Sequence, residues 1–174
     1  MFEELSLHIL DIAMNSLAAG ARTVEVAVLE SRRHDWLIVR VKDDGRGMDE
    51  ATLQRVIRQP HTTKRSRKKP IGLGLALLRQ TSEMCGGTFH IRSAPGKGTS
   101  VTASMRLANI DCPPVGNLTD TLVALSAHDT DVDVRLHYRT DTETFQFSSQ
   151  EGRNHEPRRT KKTQRQDATA SRTA

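Results

Sequence analysis

Aromatic residues are scarce in this 174-residue chain: one Trp, one Tyr and four Phe. Any core must therefore be built from Leu, Ile, Val, Ala and Met. With 36% hydrophobic residues there is material for one modest core and hardly for two. Cysteine is scarcer still. Cys85 and Cys112 are the only two, and they belong to no Cys-x-x-Cys or Cys/His cluster. Long apolar runs are absent as well: none reaches the ~18–20 residues of a membrane span. The opening Met1-Phe2-Glu3-Glu4 has no positively charged stretch of the secretory type. A reduced, cytoplasmic protein without a membrane partner is the plain expectation.

The net charge of +5 is unevenly placed. Residues 153–174 hold seven Lys and Arg against two Asp and Glu, which leaves 19 of each sign in the rest of the chain. The excess belongs to the tail, so it does not by itself argue that the folded part binds nucleic acid.

Periodicity divides what remains. Leu5, Ile9, Ile12 and Leu17 fall at helical spacing within residues 3–19, and Gly20 is available to end the helix. Thr23–Glu30 and Trp36–Lys42 are rich in Val and Ile and read as strands. Asp43-Asp44-Gly45-Arg46-Gly47 is a turn, followed by a short helix over 49–57 with Asp49 as its cap. Residues 58–70 fit neither period, carry five cations from Lys64 to Lys69, and read as a mobile loop. Residues 72–84 return to helix, closed by Gly86-Gly87. Phe89–Ser93 and Ser100–Leu107 form a hairpin.

Beyond Pro113-Pro114 a helix over 118–126 and a second hairpin are expected, the latter from the alternation Val132, Val134, Leu136, Tyr138 and then Phe145, Phe147. From Ser148 onward polar residues dominate and order is not expected. This predicts a main domain over 1–107, a small α+β extension over 108–147 and a basic tail over 148–174. The class is α/β: a two-layer sandwich with a mixed sheet covered by helices on one face, and a small helix–hairpin appendix.

Taken singly, the chemical signals are weak. Asp11 and Asn15 stand four apart on one helix face. Such a pair can serve metal binding and hydrolysis, with the Asn oxygen on Mg2+ and the carboxylate orienting or deprotonating a nucleophile. It can equally be a solvated polar stripe. Gly72-Leu73-Gly74-Leu75-Ala76 lacks the third glycine and the preceding strand of a dinucleotide fingerprint. Gly96-Lys97-Gly98-Thr99 is not a P-loop, because Ile91 stands where the first glycine should be.

Their order is more informative. Asp11 to Ala21, Asp43 to Gly47, Thr62-Thr63-Lys64 leading into Gly72 to Leu75, and Gly96 to Thr99 resemble the four sequence boxes of the superfamily of gyrase, heat-shock chaperones, histidine kinases and MutL. The resemblance covers residues 5–107 and implies a Bergerat-type ATP-binding fold with ATP and Mg2+ as ligands. It implies that Asp43 accepts a hydrogen bond from the adenine amino group, that Gly45 and Gly47 let the backbone approach the base, and that Met48 packs on the ring. Met48 is equally readable as an ordinary core methionine. The resemblance also implies that Thr63 and Lys64 belong to a lid over the phosphates, and that Gly72, Leu73, Gly74 and Leu75 offer backbone amides at a helix start. Thr99 would bond the base region, Asn15 would hold the metal, and Asp11 would be the catalytic carboxylate. Read without the resemblance, Lys64 to Lys69 is a nuclear-localisation or nucleic-acid patch.

Two departures qualify the activity. The family usually has Glu where Asp11 stands, and a side chain one methylene shorter loses about 1 Å of reach, which can cost ~100-fold in rate. An Asp common in MutL-like first boxes is Ala18 here. Binding is thereby better supported than turnover. The short flanks resemble those of free-standing members such as anti-sigma-factor serine kinases. The expectation is an ATP-binding module that phosphorylates a protein partner in trans on His or Ser, or slowly hydrolyses ATP. The alternative is a non-catalytic switch in which ATP changes a surface that binds a protein partner. A homodimer is open, and a nucleic-acid ligand is disfavoured.

Overall fold

The computed structural model describes residues 4–58, 73–128, 131–151 and 159–161. The elements run α1 (Leu5–Ala18), β1 (Thr23–Ser31), β2 (Trp36–Asp43), α2 (Glu50–Arg58), α3 (Leu73–Met84), β3 (Phe89–Ser93), β4 (Thr99–Met105), α4 (Leu118–His128), β5 (Asp133–Arg139), β6 (Glu143–Ser148) and β7 (Arg159–Lys161). The strands form one sheet in the order β3-β4-β2-β1-β5-β6-β7. Every pairing is antiparallel except β1 with β5.

Alternation within the strands builds one apolar face. Register sets Val26 opposite Val41 on one side and Leu136 on the other, with Val28 opposite Val39. The next strand adds Val101, Ala103 and Met105 to the same face, each at most 2% exposed. Three helices cover it. α1 lies between α3 and α4 and buries Leu5, Ile9, Ile12 and Ala13, while α3 contributes Leu78 and α4 Leu122 and Leu125. No described helix is long and apolar enough to cross a membrane.

Helix ends show why the chain turns where it does. After α1, the Gly20 amide donates to Leu17 O (2.9 Å) and the Ala21 amide to Ser16 O (3.2 Å), the paired bonds of a Schellman stop. α3 closes in the same way, with Gly86 donating to Glu83 O and Gly87 to Ser82 O. The start of α1 is different. Glu4 makes no side-chain cap. Instead the amides of Leu5 and Ser6 donate to the carbonyls of Pro114 (3.0 Å) and Val115 (2.8 Å), so a segment a hundred residues away satisfies the orphan donors.

The helix–hairpin after residue 107 is built into the sheet. β5 pairs with β1 over seven residues, from Thr23↔Asp133 to Leu29↔Arg139. The Tyr138 hydroxyl donates to Glu30 (2.8 Å), and burial together with this bond pushes its pKa up to about 12. The Ser31 hydroxyl donates to Asp141 (2.6 Å), tying the β1–β2 turn to the β5–β6 turn. In the tail, residues 159–161 pair with β6 as an edge strand, which differs from the expectation of a tail without order. Backbone pairing of an edge strand needs no apolar periodicity, which is why composition did not signal it.

A buried position on β5 should therefore destabilise the whole sheet. Val134→Asp puts an unpaired carboxylate at a site 0% exposed and is expected to cost about 3–5 kcal/mol, roughly 10 °C in Tm. Fluorescence of Trp36, two strands away on the far side of β1, should lose its transition in step with far-UV circular dichroism. An unchanged Trp36 transition would show that β5 unfolds independently.

Candidate functional site

The end of β2 places a carboxylate on the apolar face of the sheet. Asp43 is opposite Val24 in register and only 7% exposed, a position where an ionised group has to be hydrogen-bonded. Its Oδ1 accepts from the amides of Gly45 (2.9 Å) and Thr99 (3.2 Å). Its Oδ2 accepts from the Ser16 hydroxyl of α1 (2.8 Å). Ser16 Oγ is also 3.3 Å from Ile12 O, the longer of its two contacts. A carboxylate oxygen has about two acceptor sites, so Oδ2 retains one for a further donor.

The turn after Asp43 and the β3–β4 hairpin are fused by backbone approach. Gly47 and Gly98 both have positive φ, +66° and +74°. A Cβ at Gly47 would stand 1.9 Å from Ala94 O, and one at Gly98 would stand 1.9 Å from Asp43 O. Only glycine fits either place. The Gly96 amide donates to Arg46 O (2.7 Å). Ser93 Oγ accepts from the Met48 amide and lies 2.9 Å from both Gly98 O and Thr99 Oγ1. Met48 is half-buried at this junction. Thr99, for which the resemblance implies a bond to the base region, sets its amide on Asp43 and its hydroxyl beside Ser93, because the hairpin register brings it onto the carboxylate.

Asp44, next in the chain, has a different task. Its Oδ1 accepts from the amides of Arg22 (2.8 Å) and Thr23 (2.9 Å) at the start of β1. Burial alone would raise its carboxyl, but these amide bonds outweigh it and hold the pKa below the usual carboxylate value.

The third part of the site is the contact between α1 and α3. A Cβ at Gly74 would be 2.6 Å from the Cβ of Asp11, so the first turn of α3 lies directly on α1 at that residue. The Asp11 carboxylate is exposed and Asn15, one turn on, is half-buried. Leu75 is partly buried against the core and also borders a cavity of about 600 Å3 between α2, α3 and β3, lined by Val56, Ile57, Arg79, Phe89 and Ile91 among others. None of the groups bonded to Asp43 borders that cavity. Its walls mix apolar side chains with Arg58, Arg79, Gln80 and Glu83, and the chemistry is assigned to the Asp43 side, where buried donors and acceptors converge on one carboxylate.

The structure thus gathers Asp43, Gly45, Thr99, Gly47 and Met48 at one junction, and Asp11, Gly74 and Leu75 at the α1–α3 contact, with Asn15 beside Ser16 on the helix that joins the two. Thr63, Lys64 and Gly72 lie outside the described residues, and Leu73 is the first residue of α3. Sequence reasoning missed Ser16 and Ser93. Ser16 lies within the first box but the resemblance implies no role for it there, and Ser93 lies in none of the four boxes. Ser16 simply follows Asn15, and only the packing of α1 on β2 reveals that its hydroxyl meets Asp43.

Comparison with known proteins places this geometry in context. The sequence model of the family described as histidine kinase-, DNA gyrase B-, and HSP90-like ATPase matches residues 1–109. The chain is similar to sensor histidine kinase YvrG of Bacillus subtilis, 28% identical over 90 residues, covering 51% of this chain and 16% of that protein. It is similar to sporulation kinase D of the same organism, 32% identical over 101 residues, 56% of this chain and 19% of the kinase. It therefore spans less than a fifth of the length of either kinase. Among solved structures, the Aquifex aeolicus MutL ATPase domain complexed with ADP superposes with a TM-score of 0.50 at 15% identity, covering 79% of this chain and 60% of that one. At that identity the likeness shows the fold alone.

The depressed pKa of Asp44 sets a pH dependence. A carboxyl lower in the folded than in the unfolded chain adds stability above the ordinary carboxylate pKa of about 3.9, and loses it as pH falls through the lowered value. Urea unfolding of wild type and Asp44→Asn should differ most near neutral pH and converge below about pH 4. A gap that stays constant down to pH 3 would mean that the charge contributes nothing.

Proposed function

The chain belongs to the histidine kinase-, DNA gyrase B-, and HSP90-like ATPase family, and from that premise we propose that it binds Mg-ATP at the Asp43 junction and passes the signal, or the phosphoryl group, to a protein partner. The observation that carries this reading is the acceptor left open on a buried carboxylate. Asp43 Oδ1 is occupied by two amides and Oδ2 by one hydroxyl, so the free position calls for a donor. The adenine amino group is such a donor. Guanine presents a carbonyl there, which would face the carboxylate as a second acceptor, and should be rejected by orders of magnitude.

The rest of the site suits a triphosphate. The helix start at Leu73, Gly74 and Leu75 presents first-turn amides, which lack intrahelical acceptors, and the positive end of the helix dipole to phosphate oxygens. Asn15 makes no side-chain bond with any described residue and offers its amide oxygen to Mg2+. No group of three or more His, Cys, Asp or Glu among the described residues could hold a metal. That suits Mg2+, which takes few protein ligands and completes its shell with phosphates and waters. Bound there, the ion would neutralise phosphate charge. Asp11, on α1 against the first turn of α3, would orient or deprotonate the acceptor, a Ser or His of a partner or a water. Thr63, Lys64 and Gly72 retain their proposed roles at the phosphates.

The position of Asp11 favours a second reading. It is exposed and one methylene shorter than the Glu usual in the family, so the site is better furnished for binding than for transfer. In that case the chain is an ATP-dependent switch that does not turn over.

Calorimetry with Mg2+ tests both. ATP should bind in the micromolar range, GTP should not bind detectably, and Asp43→Asn should weaken ATP at least 100-fold. No binding at millimolar ATP would overturn the proposal. Asp11→Asn should keep ATP and abolish transfer or hydrolysis in a kinase, and should change nothing in a switch.

A further inference from the structure

The face of the sheet turned away from the helices has no part in the nucleotide site. Register arranges it in rows. Arg92, Ser100, Lys42, Glu25 and Arg135 cross β3-β4-β2-β1-β5, and His90, Thr102, Arg40, Ala27 and His137 form the next row. Ser104, Ile38, Leu29 and Arg139 follow, and beyond them Arg106 stacks on Trp36, 3.8 Å from the ring centroid. Six cations thus share this face and its rim with three carboxylates, Glu25, Asp133 and Asp35. Arg135 is engaged by Glu25 and Asp133, and Arg106 by Asp35. Arg40, Lys42, Arg92 and Arg139 are exposed and pair with no carboxylate among the described residues. At ~4.8 Å per strand and ~6.7 Å per pair of residues, the patch is roughly 20 Å by 20 Å.

Like charges this concentrated repel one another, and an isolated sheet would be more stable with carboxylates interspersed. We infer that this face docks an acidic protein surface, one that sets Asp and Glu side chains against the arginines and apolar groups against Trp36, Ile38 and Leu29. Composition separates this partner from a nucleic acid. Five of the six cations are Arg, with a Trp and two half-buried aliphatic residues beside them, and protein interfaces are enriched in Arg and Trp and depleted in Lys. Sheets that bind single strands stack bases on exposed aromatic rings. Here Phe89, Tyr138, Phe145 and Phe147 all fall on the helix-covered face, and Trp36 is capped by Arg106. The surface lies on the opposite side of the sheet from Asp43, so docking does not depend on the nucleotide reading.

The test uses the full chain and a labelled 16-residue peptide of Glu-Asp pairs separated by Leu, read by fluorescence anisotropy. The Arg40→Glu/Arg139→Glu variant should bind at least tenfold more weakly than wild type, and Arg40→Gln/Arg139→Gln about threefold more weakly, with unchanged circular dichroism melting. Arg158→Glu/Arg165→Glu in the basic tail should bind within twofold of wild type. Asp43→Asn should bind the peptide normally even if ATP binding is lost, which keeps the two proposals separable. Equal binding by the Arg40/Arg139 variants, or loss confined to the tail variant, would overturn the assignment. So would displacement of the peptide by a 16-base-pair DNA duplex at lower concentration than unlabelled peptide. Self-association by sedimentation that the Arg40/Arg139 reversal abolishes would give the face to a second copy and equally overturn it.

Discussion

One constraint organises the site: a strand register that carries Asp43 onto the apolar face of the sheet. A carboxylate in that position is stable only if directed donors stand in for most of its lost hydration. Two amides and a hydroxyl do so, and they come from three separate places in the chain, the following turn, the β3–β4 hairpin and the first helix. Satisfying one buried charge thereby fixes how α1, the Asp43 turn and the β3–β4 hairpin meet. The close approaches at Gly47 and Gly98 follow from the same requirement, since the amide of Thr99 reaches the carboxylate only if the hairpin backbone lies directly on that turn.

α1 is the second organising element. It bridges the two halves of the sheet, packing between α3 and α4, and carries Asp11, Asn15 and Ser16 along one side. Its first amides are capped by the carbonyls of Pro114 and Val115 and its last turn closes at Gly20. The segment after residue 107 therefore acts on the site from a distance, by holding the N-terminus of the helix on which the polar residues are mounted. β5 works in the same direction. By pairing parallel to β1 it extends the face on which α1 and α4 rest.

The two faces of the sheet show how one alternating pattern serves two purposes. Val and Leu point toward the helices, while Arg, Lys and His on the alternate positions stay in water. The apolar half of the pattern is explained by the core. The basic half is not, and four of its cations, Arg40, Lys42, Arg92 and Arg139, pair with no carboxylate among the described residues, which distinguishes it from an ordinary solvated surface.

Much of the fold was legible beforehand because it rests on local signals. The helix at Leu5–Ala18 follows from apolar spacing and Gly20, the strands of β1 and β2 from runs of Val and Ile, and α2 from the cap at Asp49, whose Oδ1 does accept from the Thr52 amide at 2.7 Å. The order of the glycine-bearing segments was enough to indicate the family, since close backbone approach restricts those positions to glycine wherever they occur in the chain. Long-range facts were not legible. That the Ser16 hydroxyl holds Asp43, that Thr99 spends its amide on the same carboxylate, that Pro114 and Val115 cap α1, and that β5 joins the sheet in parallel all depend on contacts between residues far apart in sequence. Periodicity and turn chemistry act over a few residues and so determine which elements form. Only the packing of those elements decides which polar groups must share a desolvated space, and hence how the candidate site is built.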